Sequence, residues 1–173
     1  MSALDRKLDW RMSLSTLGWL FTLGVLAHNT EEMVSLPAWA ARNVRWRVRV
    51  GNGAFRFAAA VQSLILVVLA SAAFSSEPQS IFAYLFAGFV FAMVVNVFAP
   101  HVFASLALRK YMPGTATALL LNLPLGVLFL QRALGEGFVA WDTLVWAAPA
   151  TALLVLLSIP VLFFLGRHAS HLR

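Results

Sequence analysis

A histidine and two glutamates stand together in His28-Asn29-Thr30-Glu31-Glu32, directly after the uncharged run from Leu14 to Ala27. On a helix His28, Glu31 and Glu32 are related by i,i+3 and i,i+4, so all three share one face. An ionised group in hydrocarbon costs a few kcal/mol, and intramembrane His and Glu mark functional sites by default. Only seven acidic residues occur in the chain, and two of them are here. Joined by His101, these groups form a hard-to-borderline ligand set that suits Zn²⁺, Fe²⁺ or Mn²⁺. A catalytic site of that kind leaves one position open for water or substrate. Without a metal, the same groups make a buried acid–base pair, suited to moving a proton on a lipid-soluble molecule. The plainer alternatives are an interhelical hydrogen-bond clamp for His28 with Glu31 or Glu32, and an interfacial position for His101.

The elements that must position these residues are apolar and long. The chain is 61% hydrophobic and 12% charged over 173 residues, with a mean hydropathy of +0.81. Soluble domains run near 45–50% apolar and about 25% charged. An all-α polytopic membrane bundle of one domain follows, residues 1–173, with five transmembrane helices at about 14–36, 54–74, 80–108, 114–130 and 141–166. Pro37 is expected to stop the first span. The start of the chain loosely fits a cleaved signal peptide, but the segment is read as a membrane helix. Residues 37–50 are expected to form a short interfacial helix, with Arg42, Arg45 and Arg49 on one face toward lipid headgroups and Trp39 and Trp46 beside them.

The Lys and Arg distribution orients the bundle. Nine of the thirteen fall in the 37–56 and 109–113 connections and the C-terminal tail, and four on the other side. That places the C-terminus in the cytoplasm and the N-terminus outside. Basic residues beside apolar spans are a membrane signature, so nucleic acid is not an expected partner. Cysteine is absent, which excludes disulfides and thiolate metal sites.

With alternating spans, each helix carries a polar group at a similar depth: His28, Gln62, Asn96, Asn122 and Ser158. One shared site in the cytoplasmic half accounts for all of them. Gln62, Asn96 and Asn122 would orient ligands or substrate from a second layer, or serve as packing glue. Tyr111 would offer a hydrogen bond or proton at the mouth. On an ideal helix Asn96 and His101 lie about 140° apart and should diverge. Pro100 between them would free the Asn96 carbonyl and kink the helix, swinging His101 toward the cavity.

His28-x-x-Glu31-Glu32 resembles the signature of the HXXEE family of small bacterial membrane proteins. Tyr111-Met112-Pro113-Gly114-Thr115-Ala116-Thr117 looks like a second feature of that family, and Asn96 and His101 resemble its polar positions. The resemblance covers most of the chain and brings no assigned activity with it. A weaker likeness, in architecture and residue type alone, is to the five-helix sterol isomerases of the emopamil-binding type.

Three classes of function fit. The leading one is an enzyme acting on a lipid-soluble substrate, with His28, Glu31, Glu32 and His101 as ligands or acid–base groups. The others are a non-catalytic binding or scaffold protein and a small proton- or cation-coupled transporter, the last requiring a homodimer. A cavity continuous with lipid favours the enzyme, a water-filled path the transporter, and a dry, fully paired cluster the scaffold.

Overall fold

The computed structural model describes residues 12–43 and 51–171, with side chains up to residue 168. Among these the chain is helical and has no strand. Five rods follow one another: α1 (Leu14–Asn43), α2 (Asn52–Phe74), α3 (Ile81–Leu108) and α4 (Thr115–Gly135), and α5 (Trp141–His171). α2, α3, α4 and residues Trp141–His168 of α5 are long and apolar enough to cross a membrane. α1 is not in that group; it carries the His28–Glu32 segment at mid-length.

Pro37 does not end α1, contrary to expectation. The helix passes through it to Asn43. A helical proline leaves the carbonyl four residues earlier without its amide partner. That carbonyl belongs to Met33, and Arg56 Nε of α2 donates to it at 3.2 Å. The interruption is satisfied from a neighbouring helix, so the alanine-rich segment behind it continues the rod. The front of the expected interfacial helix is therefore the end of α1. Arg42 Nε donates to its own Ala38 carbonyl, and Trp39 is buried instead of facing headgroups. Arg45, Trp46 and Arg49 lie outside the described residues.

α3 is broken where Pro100 predicts. Ala99 has φ −131° and ψ 111°, the extended conformation that a following proline ring favours. Residues 97–102 around it widen into π-type turns. A second widened stretch, Ala118–Asn122, lies inside α4. Such bulges change which residues face inward and recur at functional sites.

One end of the bundle is packed with aromatic rings. Phe86 meets Phe74 at 5.3 Å and Phe129 at 5.1 Å between centroids, and Phe138 closes against Phe74 at 5.7 Å. Leu17 and Phe21 of α1 complete this core. The edge-to-face geometry of most of these pairs adds to the packing. α3 and α5 come close at Gly88, where a Cβ would stand 2.5 Å from Thr151. The opposite end holds the polar groups.

Candidate metal and acid–base site

The connection between α3 and α4 folds back over the His28 face of α1, and Glu31 holds it there. Glu31 Oε1 accepts from the Gly114 amide at 2.9 Å and from the Tyr111 hydroxyl at 2.7 Å. Its Oε2 accepts from Thr117 Oγ1 at 2.8 Å. The Tyr111 oxygen in turn accepts from the Ala116 amide at 3.2 Å. The first amides of α4 are thus satisfied by a carboxylate and a phenol, an arrangement that the helix dipole favours. Partial burial and the hydrogen bond to Glu31 keep the Tyr111 hydroxyl protonated above the usual tyrosine range. Ser105 braces the same turn by accepting from the Met112 amide at 3.1 Å.

Gly114 occupies the centre of this turn. Its φ is +91°, and a Cβ there would lie 2.7 Å from His101 Cε1 and 2.9 Å from His28 Cε1. Only glycine provides both the backbone conformation and the space. Its carbonyl lies 3.1 Å from His28 Nδ1, and Thr117 Oγ1 lies 3.1 Å from the same nitrogen. A carbonyl accepts and cannot donate, so the network assigns the proton to Nδ1. In the neutral ring Nε2 then carries the lone pair.

His28 Nε2 lies 3.8 Å from Glu32 Oε2, and His101 Nε2 lies 3.3 Å from Glu32 Oε1. The two rings meet edge to face, 4.8 Å apart at their centroids. Both histidines are buried, at 1% and 0% exposure. His28, Glu32 and His101 each present a ligand atom within 4.8 Å of the others. Donors about 2.0–2.1 Å from a tetrahedral ion stand about 3.4 Å from one another, close to the two carboxylate distances. Among the described residues, the buried side-chain atoms without a hydrogen-bond partner are His28 Nε2, both ring nitrogens of His101 and both amide atoms of Asn122. Buried polar atoms are rarely left in this state, and such exceptions point to a ligand or a catalytic role. The donor set fits a divalent first-row ion in type, number and spacing.

The two adjacent glutamates are therefore differently engaged. Glu32 faces the imidazoles, and Glu31 faces the turn that orients one of them. Tyr111 serves that turn through Glu31. Gln62 Nε2 donates to Ser158 Oγ at 2.5 Å, joining α2 to α5. Asn122 is buried in α4 opposite Gly24, with its Oδ1 at 3.5 Å from where a Cβ on Gly24 would stand. Asn96 and Gln62 line a cavity of about 450 Å³ whose polar end is formed by His28, Asn29 and Glu32. Asn29 is fixed there by donating to Ser63 Oγ at 2.9 Å. Residue type and spacing alone did not single out Thr117, Asn29 or the role of Gly114. The signal available for two of them was Pro113-Gly114 opening a span with Thr117 one turn on.

The rest of the cavity is apolar, formed by residues such as Phe55, Ala58, Phe89 and Met93 of α2 and α3 and by Ala152, Val155, Ile159 and Phe163 of α5. Its volume lies within the range of small-molecule sites.

A family model described as a protein of unknown function with HXXEE motif matches residues 19–129. The uncharacterized protein YrkK of Bacillus subtilis (strain 168) is 32% identical over 151 residues, covering 87% of this chain and 95% of that protein. No solved structure gives a significant match.

Proposed function

For this chain, which belongs to the HXXEE family of unknown function, we propose an intramembrane enzyme that binds a divalent metal and acts on a lipid-soluble substrate. One observation carries this reading: His28 Nε2, the Glu32 carboxylate and the buried His101 ring converge, and His28 and Glu32 line a mostly apolar cavity. A fully hydrogen-bonded cluster would favour a scaffold, but His28 Nε2 and both His101 nitrogens face Glu32 or the site without a hydrogen-bond partner. The cavity rim is apolar, which favours a lipid-soluble ligand over a transported ion.

A divalent ion at this point would supply a Lewis acid at the head of the cavity. The chain's own groups do the rest. The Gly114 carbonyl fixes the tautomer and plane of His28, as outer partners of metal-bound histidines commonly do. Glu32 would supply the carboxylate ligand between the two imidazoles. Asn29 and Asn96 flank the place of a reacting oxygen, and the apolar walls exclude water. In a second, metal-free reading, the short His101–Glu32 separation makes the pair a proton relay.

We further propose that α1 completes a five-span bundle in the bacterial cytoplasmic membrane, with the site in the cytoplasmic half. The uneven placement of Lys and Arg supports that orientation. Cysteines introduced at Ser2 and Leu172 should react with an impermeant reagent from opposite sides; reaction from one side defeats the orientation.

Elemental analysis of the detergent-purified protein tests the metal. Wild type and His168→Ala should take up about one zinc, iron or manganese per chain, and His101→Ala should lose most of it. Wild type that neither carries nor takes up metal removes this reading and leaves the relay. In that case Glu32→Gln must abolish turnover of lipid-soluble candidates while Glu31→Gln only weakens it.

A further inference from the structure

The chemistry of the cavity walls narrows what can occupy it. Among the described residues no lysine or arginine lines it, and Glu32 is its one charged group. Proteins hold phosphate with Arg or Lys forks, or with the free amides at a helix N-terminus. The helix N-terminus nearest the site is that of α4. Its Gly114 amide already binds Glu31, and its Ala116 amide already binds Tyr111. The remaining polar lining is amide in type, from Asn29, Gln62 and Asn96. These groups bind hydroxyl or carbonyl oxygens; a divalent ion in the site would have half its charge offset by Glu32, and no fork or free amide is left to hold the remaining oxygens of a phosphate.

The rim shows how an occupant enters. Val95 and Ala99 of α3 and Leu153 and Leu156 of α5 line the cavity and are also exposed. They come from two helices packed against each other, and all four are apolar. In a bilayer this gap faces acyl chains and not water. An amphiphile entering sideways keeps its chain in hydrocarbon throughout and brings its polar end to Glu32 last.

Resting on the enzyme reading above, we infer that the substrate is a single-chain lipid with an unphosphorylated oxygen end group, in the class of long-chain alcohols, aldehydes and esters, and that it enters laterally between α3 and α5.

Photocrosslinking in vesicles of bacterial phospholipid tests this. Two probes are compared: hexadecanol with a mid-chain diazirine, and phosphatidylethanolamine with the same diazirine in one acyl chain. The hexadecanol probe should label cavity residues of α3 and α5, such as Met93 and Ile159. Excess unlabelled hexadecanol should suppress that labelling at least fivefold. Ala59→Trp and Ala92→Trp, which fill the cavity from α2 and from α3, should each reduce it at least fivefold. The phospholipid probe should label only the outward faces, equally in wild type and both variants. Zinc uptake is measured on every sample, and a variant that still takes up zinc has kept its fold. Cavity labelling by the phospholipid that the tryptophans abolish overturns the unphosphorylated end group. Hexadecanol labelling that ignores both tryptophans and the competitor overturns entry altogether. Zinc uptake without hexadecanol entry sinks this inference and leaves the metal reading intact. Entry without zinc uptake does the reverse.

Discussion

The two ends of this bundle are built on opposite principles. At one end Phe21, Phe74, Phe86, Phe129 and Phe138 fill the space between helices. At the other, two buried imidazoles have nitrogens without hydrogen-bond partners, and α2, α3 and α5 line a cavity. Both ends use the same helices, so the difference lies in side chains and not in topology. Order is concentrated where no chemistry is placed, and unmet bonding capacity is kept where a ligand can meet it. Local departures from good packing at functional sites are what a foldable sequence tolerates when the rest of it is consistent.

That contrast can be broken by mutation. The largest effect belongs to the aromatic end. Phe86→Ala opens a void in the ring cluster and should cost about 3 kcal/mol, read as easier unfolding in a denaturing detergent titration. Zinc uptake per folded molecule should not change. A parallel loss of zinc would mean the ends are not independent.

Next is Gly114→Ala. The left-handed backbone conformation and the crowding against both histidines should cost about 1–3 kcal/mol, and here the metal should be lost too. A variant that binds zinc like wild type would show that the turn does not set the His28 ring.

The adjacent glutamates sharpen the comparison within the site end. Glu31→Gln weakens three hydrogen bonds to the turn, so stability should fall by about 1 kcal/mol and zinc affinity by about tenfold. Glu32→Gln should remove the metal, and compared without added metal it should cost less stability than Glu31→Gln, because Glu32 faces the two imidazoles and holds no hydrogen bond to the turn. Swapped phenotypes would reverse the roles assigned to the pair.

The smallest effect is that of pH on the turn. The folded pKa of Tyr111 is raised, so its contribution is complete below the ordinary tyrosine value near 10. It is lost only as pH rises through the higher folded value. Between pH 7 and 9 the wild-type and Tyr111→Phe proteins should therefore keep a constant difference in stability. A difference that shrinks in that interval would place the ionisation too low for the Glu31 bond.

Much of this was legible from residue spacing. His28, Glu31 and Glu32 fall on one helical face by arithmetic, and Pro100 predicts the break that accompanies His101 turning inward. The division of labour between Glu31 and Glu32 was not legible. Their own helix treats them nearly alike, and the distinction comes from a turn some eighty residues later. Pro37 misled for a similar reason. Its cost depends on whether the freed carbonyl finds a donor, and the donor is Arg56 on another helix. Local rules reported the local state correctly, and long-range partners decided the outcome.

The His28–Gly114 contact spans 86 residues, and that distance is also a delay. A ribosome adding about 5–20 residues per second needs roughly 4–17 s to deliver Gly114 after His28 has emerged. Throughout that interval His28 and Glu31 lack the turn that satisfies them, although α2 already brings Arg56 to Met33 and Ser63 to Asn29. α2 and most of α3 arrive first, and the turn that accepts Glu31 arrives after them. The nascent chain thus passes through a vulnerable window that closes only when the fourth helix begins. Slowed translation between α3 and α4 would lengthen that window, reducing the yield of inserted protein without altering a single side chain.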